Sequence, residues 1–203
     1  MQVLCYPVGE MAANCYFLID DLTNDCFIID PGDDAEFLST EILSRHLKPK
    51  AILLTHAHFD HLLATLELSL NFSLPVYLHP KDHFLYQKAF SSARHFQPQG
   101  STLRPPTTTQ PLSDHQRLKL GQEQVEVLHT PGHTPGSVCF YFKSHLFTGD
   151  TLFAEGPGRA DRSYSSPQDL KTSLKQLYNL PSDTLVYPGH QESGFTLGQL
   201  HLS

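Results

Sequence analysis

Four stretches of the chain share a pattern that limits the fold: an apolar run stops, the chain turns, and a histidine or aspartate follows. They are residues 51–61 (AILLTHAHFDH), 129–137 (HTPGHTPGS, directly after an apolar run), 146–153 (LFTGDTLF) and 185–190 (LVYPGH). Short apolar runs bounded by turn residues are typical of buried β-strands. Imidazole and carboxylate groups are costly to bury, so they are expected where strands end, and functional sites of layered α/β proteins collect there.

The other patterns favour an α/β architecture in which strands come first and a helix and a strand follow, in each half of the chain. Helical spacing is predicted over 34–47, 62–71, 81–90 and 167–179, and strands over 2–8, 14–20, 25–30, 51–54, 75–80, 117–120, 123–129, 137–142, 145–148 and 184–187. Such an order predicts two sheets packed face to face with helices outside, a four-layer αββα sandwich.

The length of 203 residues predicts one domain, 1–203, interrupted by an irregular segment at about 91–116. That segment is rich in Ser, Thr, Pro and Gln, and long irregular segments are usually functional loops or partly disordered. We expect either a surface loop or a lid on the substrate side.

With a net charge of −7, the chain has no excess positive charge that would attract nucleic acid or an anionic membrane. The N-terminal stretch MQVLCYPVGEMAANCYFL has no basic start followed by a long apolar run, so neither a signal peptide nor a membrane span is predicted. The four scattered cysteines are interpreted as reduced, buried thiols. A cytoplasmic location follows as the default expectation.

The histidine-rich stretch 53–61 either holds metal or is a solvated polar turn. His56 and His58 are alternate residues of an extended segment, so both side chains can reach one ion. Asp60 and His61 lie where the chain turns into a helix and can reach a second ion. Nitrogen and carboxylate ligands suit zinc, iron or manganese.

Three later positions favour the metal interpretation over the polar turn. His133 stands between two Pro-Gly-type turns, Asp150 follows a glycine at the end of an apolar run, and His190 follows Pro-Gly. One such position could arise by chance. These three positions and the stretch 53–61, in this order along the chain, predict a metal site built from several strand ends.

The motifs THAHFDH, PGHTPGS, TGDTLF and PGH, in this order, resemble those of the metallo-β-lactamase-fold hydrolases. The glyoxalase II-like (hydroxyacylglutathione hydrolase-like) branch is the most similar, since NCYFLID, FIIDPG and GPGRAD fit it as well. The resemblance spans nearly the whole chain. It is specific for the fold and the metal site and much less specific for the substrate.

The resemblance implies that seven residues bind two divalent ions. The first ion is assigned to His56, His58 and His133, the second to Asp60, His61 and His190, and Asp150 bridges them. It also implies zinc, with iron or manganese as alternatives, and a hydroxide between the ions that attacks a carbonyl, with Asp60 and Asp150 as the catalytic carboxylates.

Other polar residues are candidates for supporting roles. Asp30 could orient a ligand histidine, and His79 and His129 are either structural histidines or residues that support the ligands. Arg159 either pairs with Asp161 or binds a substrate anion.

The chain departs from full-length glyoxalase II enzymes, because only QESGFTLGQLHLS follows His190 where those enzymes carry a helical domain for glutathione. A single-domain member is therefore expected, in which other residues would have to recognise glutathione. The segment 91–116 is then a candidate pocket wall, with Arg94, Arg104 and Tyr86 as anion contacts.

The leading prediction is a binuclear thioesterase acting on S-lactoylglutathione or a related small acyl-thiol, and its oligomeric state is left open. A persulfide dioxygenase-like enzyme with one iron is the main alternative. A β-lactamase is disfavoured because His61 fills a position where those enzymes usually differ, and a nuclease because no second domain fits. A non-catalytic metal-binding module is disfavoured by the complete ligand set.

Overall fold

The computed structural model describes residues 1–96 and 108–200. The helices are α1 Ala35–Ser44, α2 Thr65–Phe72, α3 His83–Phe96, α4 Pro167–Leu177 and α5 Leu197–Leu200, and short 3-10 turns lie at Phe59–His61 and Pro80–Asp82. The strands are β1 Gln2–Val8, β2 Ala13–Ile19, β3 Asp25–Ile29, β4 Lys48–Leu53, β5 Val76–Leu78, β6 Gln110–Pro111, β7 Arg117–Leu120, β8 Glu123–His129, β9 Val138–Phe142, β10 His145–Gly149, β11 Leu152–Phe153, β12 Gly156–Pro157, β13 Leu185–Pro188 and β14 Phe195–Thr196.

Twelve of these strands form two six-stranded mixed sheets. The first has the order β1-β2-β3-β4-β5-β6, antiparallel as far as β3 and parallel from there. The second has the order β14-β13-β10-β9-β8-β7, in which only β10 and β13 run parallel. The parallel pairs β3/β4 and β10/β13 bring strand ends to the same edge, as the sequence predicts.

Apolar side chains fill three layers, because successive residues of a strand point to opposite faces. On β2, Tyr16 and Leu18 face the second sheet and pack with its Phe140 and Phe147. The alternate residue Phe17 packs outward in the layer that α1 and α2 cover. The outer face of the second sheet packs mainly against α4 through a third cluster. Helix, sheet, sheet and helix are thus the four layers of an αββα sandwich, which confirms the predicted fold class.

The irregular segment expected at about 91–116 begins later than the sequence pattern suggests. Helix α3 continues to Phe96, because Tyr86, Ala89 and Ala93 form its buried face. Two of these three are alanines, whose weak hydrophobicity hides the helical period. Strand β6 then forms at Gln110–Pro111, while residues 97–107 lie outside the described residues.

Within residues 1–96 and 108–200, no helix is both long enough and apolar enough to cross a membrane.

Candidate metal centre

Three histidines from two distant loops meet at the edge between the sheets. Nε2 of His56 and Nε2 of His133 each lie 3.0 Å from Nδ1 of His58. In a tetrahedral site with metal–nitrogen bonds of ~2.0–2.1 Å, ligand atoms lie roughly 3.3 Å apart. These three residues, called the first triad below, therefore present nitrogen atoms at a spacing that one ion requires.

A second group lies beside the first. Nε2 of His61 is 3.2 Å from Nε2 of His190, and Oδ2 of Asp60 lies 3.3 Å from Nε2 of His190 and 3.8 Å from Nε2 of His61. Asp60, His61 and His190 form the second triad, and their ligand atoms all lie within 4.8 Å of one another.

Asp150 stands between the two triads and directs one carboxylate oxygen to each. Its Oδ2 lies 3.5 Å from Nε2 of His133, and its Oδ1 lies 3.5 Å from Nε2 of His61 and 3.9 Å from Nε2 of His190. Oδ1 is buried and has no hydrogen-bond partner in the described part of the chain. A buried carboxylate oxygen without a donor is costly, so this oxygen fits a cation shared with the second triad.

The outer nitrogens of the first triad have acceptors that fix the rings. His133 Nδ1 lies 2.8 Å from the carbonyl oxygen of Arg159, and His58 Nε2 lies 2.7 Å from the hydroxyl oxygen of Tyr164. Each outer nitrogen can therefore donate its hydrogen and leave the lone pair on the nitrogen that faces the site. Such outer hydrogen bonds are usual for metal-binding histidines.

Asp30 orients one ring of each triad. Its Oδ2 lies 3.2 Å from Nδ1 of His61 and accepts a 2.5 Å hydrogen bond from the Thr55 hydroxyl. The Thr55 hydroxyl oxygen in turn lies 3.1 Å from Nδ1 of His56. The orienting role predicted for Asp30 therefore has a direct geometric basis, and Thr55 extends that role to the first triad.

The His190 loop is held by β2 from the other sheet. The Asn14 side-chain amide donates 3.0 Å hydrogen bonds to the carbonyls of Pro188 and Gln191, on either side of His190. Gly189 is required between them, because a Cβ there would lie 2.4 Å from Oδ1 of Asp150. The sequence motif Pro-Gly-His thus reflects crowding against the central carboxylate.

A buried aspartate joins the two loops of the first triad. Oδ2 of Asp82 accepts hydrogen bonds from the Ala57 amide at 3.0 Å and from the Thr134 hydroxyl at 2.7 Å. Its Oδ1 accepts one from the Gly136 amide at 2.6 Å. Because Ala57 lies between His56 and His58, and Thr134 follows His133, Asp82 fixes the separation of those loops.

Electrostatic coupling divides the site into two parts. Burial and the neighbouring His133 lower the pKa of His58 to about 4, and burial lowers that of His56 well below its usual range. Burial also disfavours charge on His61, but Asp150 and Asp60 outweigh it and raise the His61 pKa to about 10. His56 and His58 are therefore neutral, with lone pairs available, whereas carboxylates stabilise the charged form of His61.

The triads open into a cavity of about 710 Å³. One part of the wall is the face of α3 with Phe84 and Lys88, and another is the loop that carries Arg159, Arg162 and Tyr164. An apolar and basic cavity beside the candidate metal centre is suited to an organic substrate with a negative charge.

The sequence also predicted possible roles for Arg159, His79 and His129, and the structure shows what each of them contacts. Arg159 lines the cavity but pairs with Asp161, with Nη2 and Oδ2 2.6 Å apart. His79 and His129 stack on each other, with ring centroids 4.2 Å apart. In the described residues, neither of these two rings has a hydrogen bond or ring contact with either triad, so a supporting role gains no geometric basis.

Two of the three residues expected to contact an anion, Tyr86 and Arg94, do not line the cavity. Tyr86 is 3% exposed and belongs to the core, and the Arg94 guanidinium lies 6.0 Å above the ring of Phe90. Neither lines the cavity, so both expectations are wrong. Arg104 lies outside the described residues.

The structure adds residues that sequence reasoning missed, namely Asn14, Thr55, Asp82, Lys88 and Tyr164. Each acts through a partner far away in the sequence or through the shape of the cavity. No local motif distinguishes them from ordinary polar residues.

Comparison with known proteins agrees with this geometry. The family model of the metallo-beta-lactamase superfamily matches residues 8–190, so the chain belongs to that superfamily. It is 35% identical to the hydroxyacylglutathione hydrolase GloC of Haemophilus influenzae over 98% of this chain and 94% of GloC.

Two solved structures superpose on nearly the whole chain. TTHA1623 in a di-iron-bound form is 41% identical, with a TM-score of 0.88 over 97% of this chain and 96% of that one. The B3 metallo-beta-lactamase BLEG-1 is 37% identical, with a TM-score of 0.89 over 100% of this chain and 97% of that one. The family and the geometry of the two triads support a metal-dependent hydrolase.

Proposed function

We propose that this chain is a binuclear metal-dependent hydrolase that cleaves thioesters, such as S-lactoylglutathione or a related acyl-thiol. The observation that carries the proposal is the position of Asp150, whose two carboxylate oxygens face the two triads. The likeness to GloC supports the substrate class, and the di-iron form of TTHA1623 supports two ions.

The residues fit two divalent ions, zinc, iron or manganese, by their donor chemistry. The first ion would be held by the first triad, the second by the second triad, and both by Asp150. Two divalent ions bound there would supply Lewis acidity and lower the pKa of a water molecule toward neutrality. Asp60 and Asp150 offset part of their charge, and the outer acceptors Asp30 and Tyr164 keep the ligand rings in place.

The cavity chemistry favours a thioester over an amide. A departing amine needs a proton from a general acid, whereas a thiolate leaves without one because thiols have a pKa near ~8.5. Burial opposes charge on Asp60, but His61 and His190 outweigh it and hold its pKa below the usual range, so Asp60 is a poor proton donor. Asp161 is occupied by Arg159. None of the four cysteines lines the cavity, which disfavours a thiol nucleophile.

The test is a substrate panel on protein reconstituted with zinc, manganese or iron. S-lactoylglutathione, the same acyl group on a small thiol, a cephalosporin, and glutathione persulfide with oxygen are compared. We expect thiol release from the thioesters, loss of activity with a chelator and recovery on adding metal. Cleavage of the cephalosporin alone would favour the chemistry named for BLEG-1. Oxygen uptake with the persulfide and no thioester cleavage would overturn the thioesterase proposal.

A further inference from the structure

We infer that Lys88 and Arg162 form a subsite for a carboxylate that the substrate carries away from its scissile bond. This inference rests on the proposed function for the reaction and adds the chemical class of the group that is recognised. It assigns substrate binding to two residues of the cavity lining, one on α3 and one on the loop that carries Tyr164, rather than to Arg159.

Lys88 stands on the wall formed by α3. Phe84, Lys88 and Ser92 are four residues apart in the helix and therefore share one face, and all three line the cavity. The ring of Phe84 lies 5.9 Å from that of Tyr164 in an edge-to-face contact. Lys88 is thus about one helical turn from the residue that makes this contact.

Arg162 lies on the loop that carries Tyr164, three positions after Arg159, which already pairs with a carboxylate. Arg159 makes two hydrogen bonds to Asp161, at 3.3 and 2.6 Å. By contrast, no ion pair within residues 1–96 and 108–200 involves Arg162 or Lys88, and both side chains are exposed. Arg159 and, to a smaller extent, Arg162 lower the pKa of the Asp161 carboxyl. Arg159, Arg162 and Lys88 therefore have one carboxylate between them outside the candidate metal centre.

The carboxylates of the cavity do not neutralise all of its cations. Asp60 and Asp150 belong to the candidate metal centre, and Asp161 is paired with Arg159. The apolar side chains of Phe84 and Leu85 line the same cavity. An apolar chain ending in a carboxylate matches this surface, because charge-assisted hydrogen bonds from Arg and Lys favour carboxylates.

The experiment compares two thioesters that differ only in whether a distal carboxylate is free or methylated. For the double variant Lys88→Met and Arg162→Met, we expect kcat/KM for the free carboxylate to fall by about tenfold, mainly through KM, since the contacts are remote and exposed. The methyl ester should change less than about twofold. Lys171→Met, an exposed lysine on α4, is the matched control and should leave both substrates unchanged.

A binding measurement separates this inference from the proposed function. Calorimetry with a non-hydrolysable thioether, as free carboxylate and as methyl ester, is made on the metal-loaded wild type and the double variant. Tighter binding of the carboxylate that the double variant loses supports the subsite, even if no thioester is cleaved. Equal binding of the two thioethers by the wild type, or an unchanged preference in the double variant, would overturn it.

Discussion

The hydroxyl of Tyr164 lies 2.7 Å from Nε2 of His58, and Nδ1 of the same ring faces His56 and His133. The two ring nitrogens therefore have separate tasks: one is held by the phenol, and the other points into the candidate metal centre. A contact of this kind raises ligand basicity and fixes ring orientation.

Replacing Tyr164 with Phe should weaken metal binding without unfolding the protein. The substitution removes the acceptor for His58 Nε2 and keeps the ring that packs on Phe84. Loss of such an outer contact typically costs about 10–100-fold in metal affinity. Competition against a chromophoric chelator measures it, with Tyr141→Phe, outside the cavity lining, as the control. Equal affinities for both variants and the wild type would show that Tyr164 does not support His58.

Asp82→Asn should destabilise the protein and loosen the first triad. The fully buried carboxylate accepts three hydrogen bonds, and an amide would turn a donor toward some of those donors. We expect a loss of about 2–3 kcal/mol in the free energy of unfolding, measured by urea denaturation of the metal-free protein. The exposed Asp183→Asn is the control. A loss no larger than in that control contradicts the role given to Asp82.

Asp150→Ala should lower the metal content as well as turnover, because both triads lose the carboxylate they share. His129→Ala should cost far less, since that ring contacts His79 and the Pro135 carbonyl. Elemental analysis of both variants after identical reconstitution gives the comparison. Full metal occupancy in the Asp150 variant would remove Asp150 from the site.

The sequence predicted the layers and the strand ends well, because both depend on local periodicity. His133, Asp150 and His190 each follow an apolar strand and a turn, and the structure brings them together with the stretch 53–61. The αββα order followed from the same alternation of strands and helices.

Residues that act over long separations could not be predicted in this way. Tyr164 is 106 positions from His58, and Asp82 is 54 positions from Gly136; no spacing rule links such pairs. Helix α3 was underestimated because its buried face is built largely from alanine. Lys88 of the proposed carboxylate subsite lies on that helix. It was missed, and Arg94 and Tyr86 were chosen instead.

Metal stoichiometry tests the central claim, that two triads share Asp150, most directly. Metal-free protein is reconstituted with zinc, separated from excess metal and analysed for metal per chain, alongside His133→Ala and His61→Ala. We predict two ions per chain in the wild type and about one in each variant, since each substitution removes a ligand from a different triad. A single ion per chain in the wild type, lost completely with His133→Ala and retained with His61→Ala, would contradict the binuclear account.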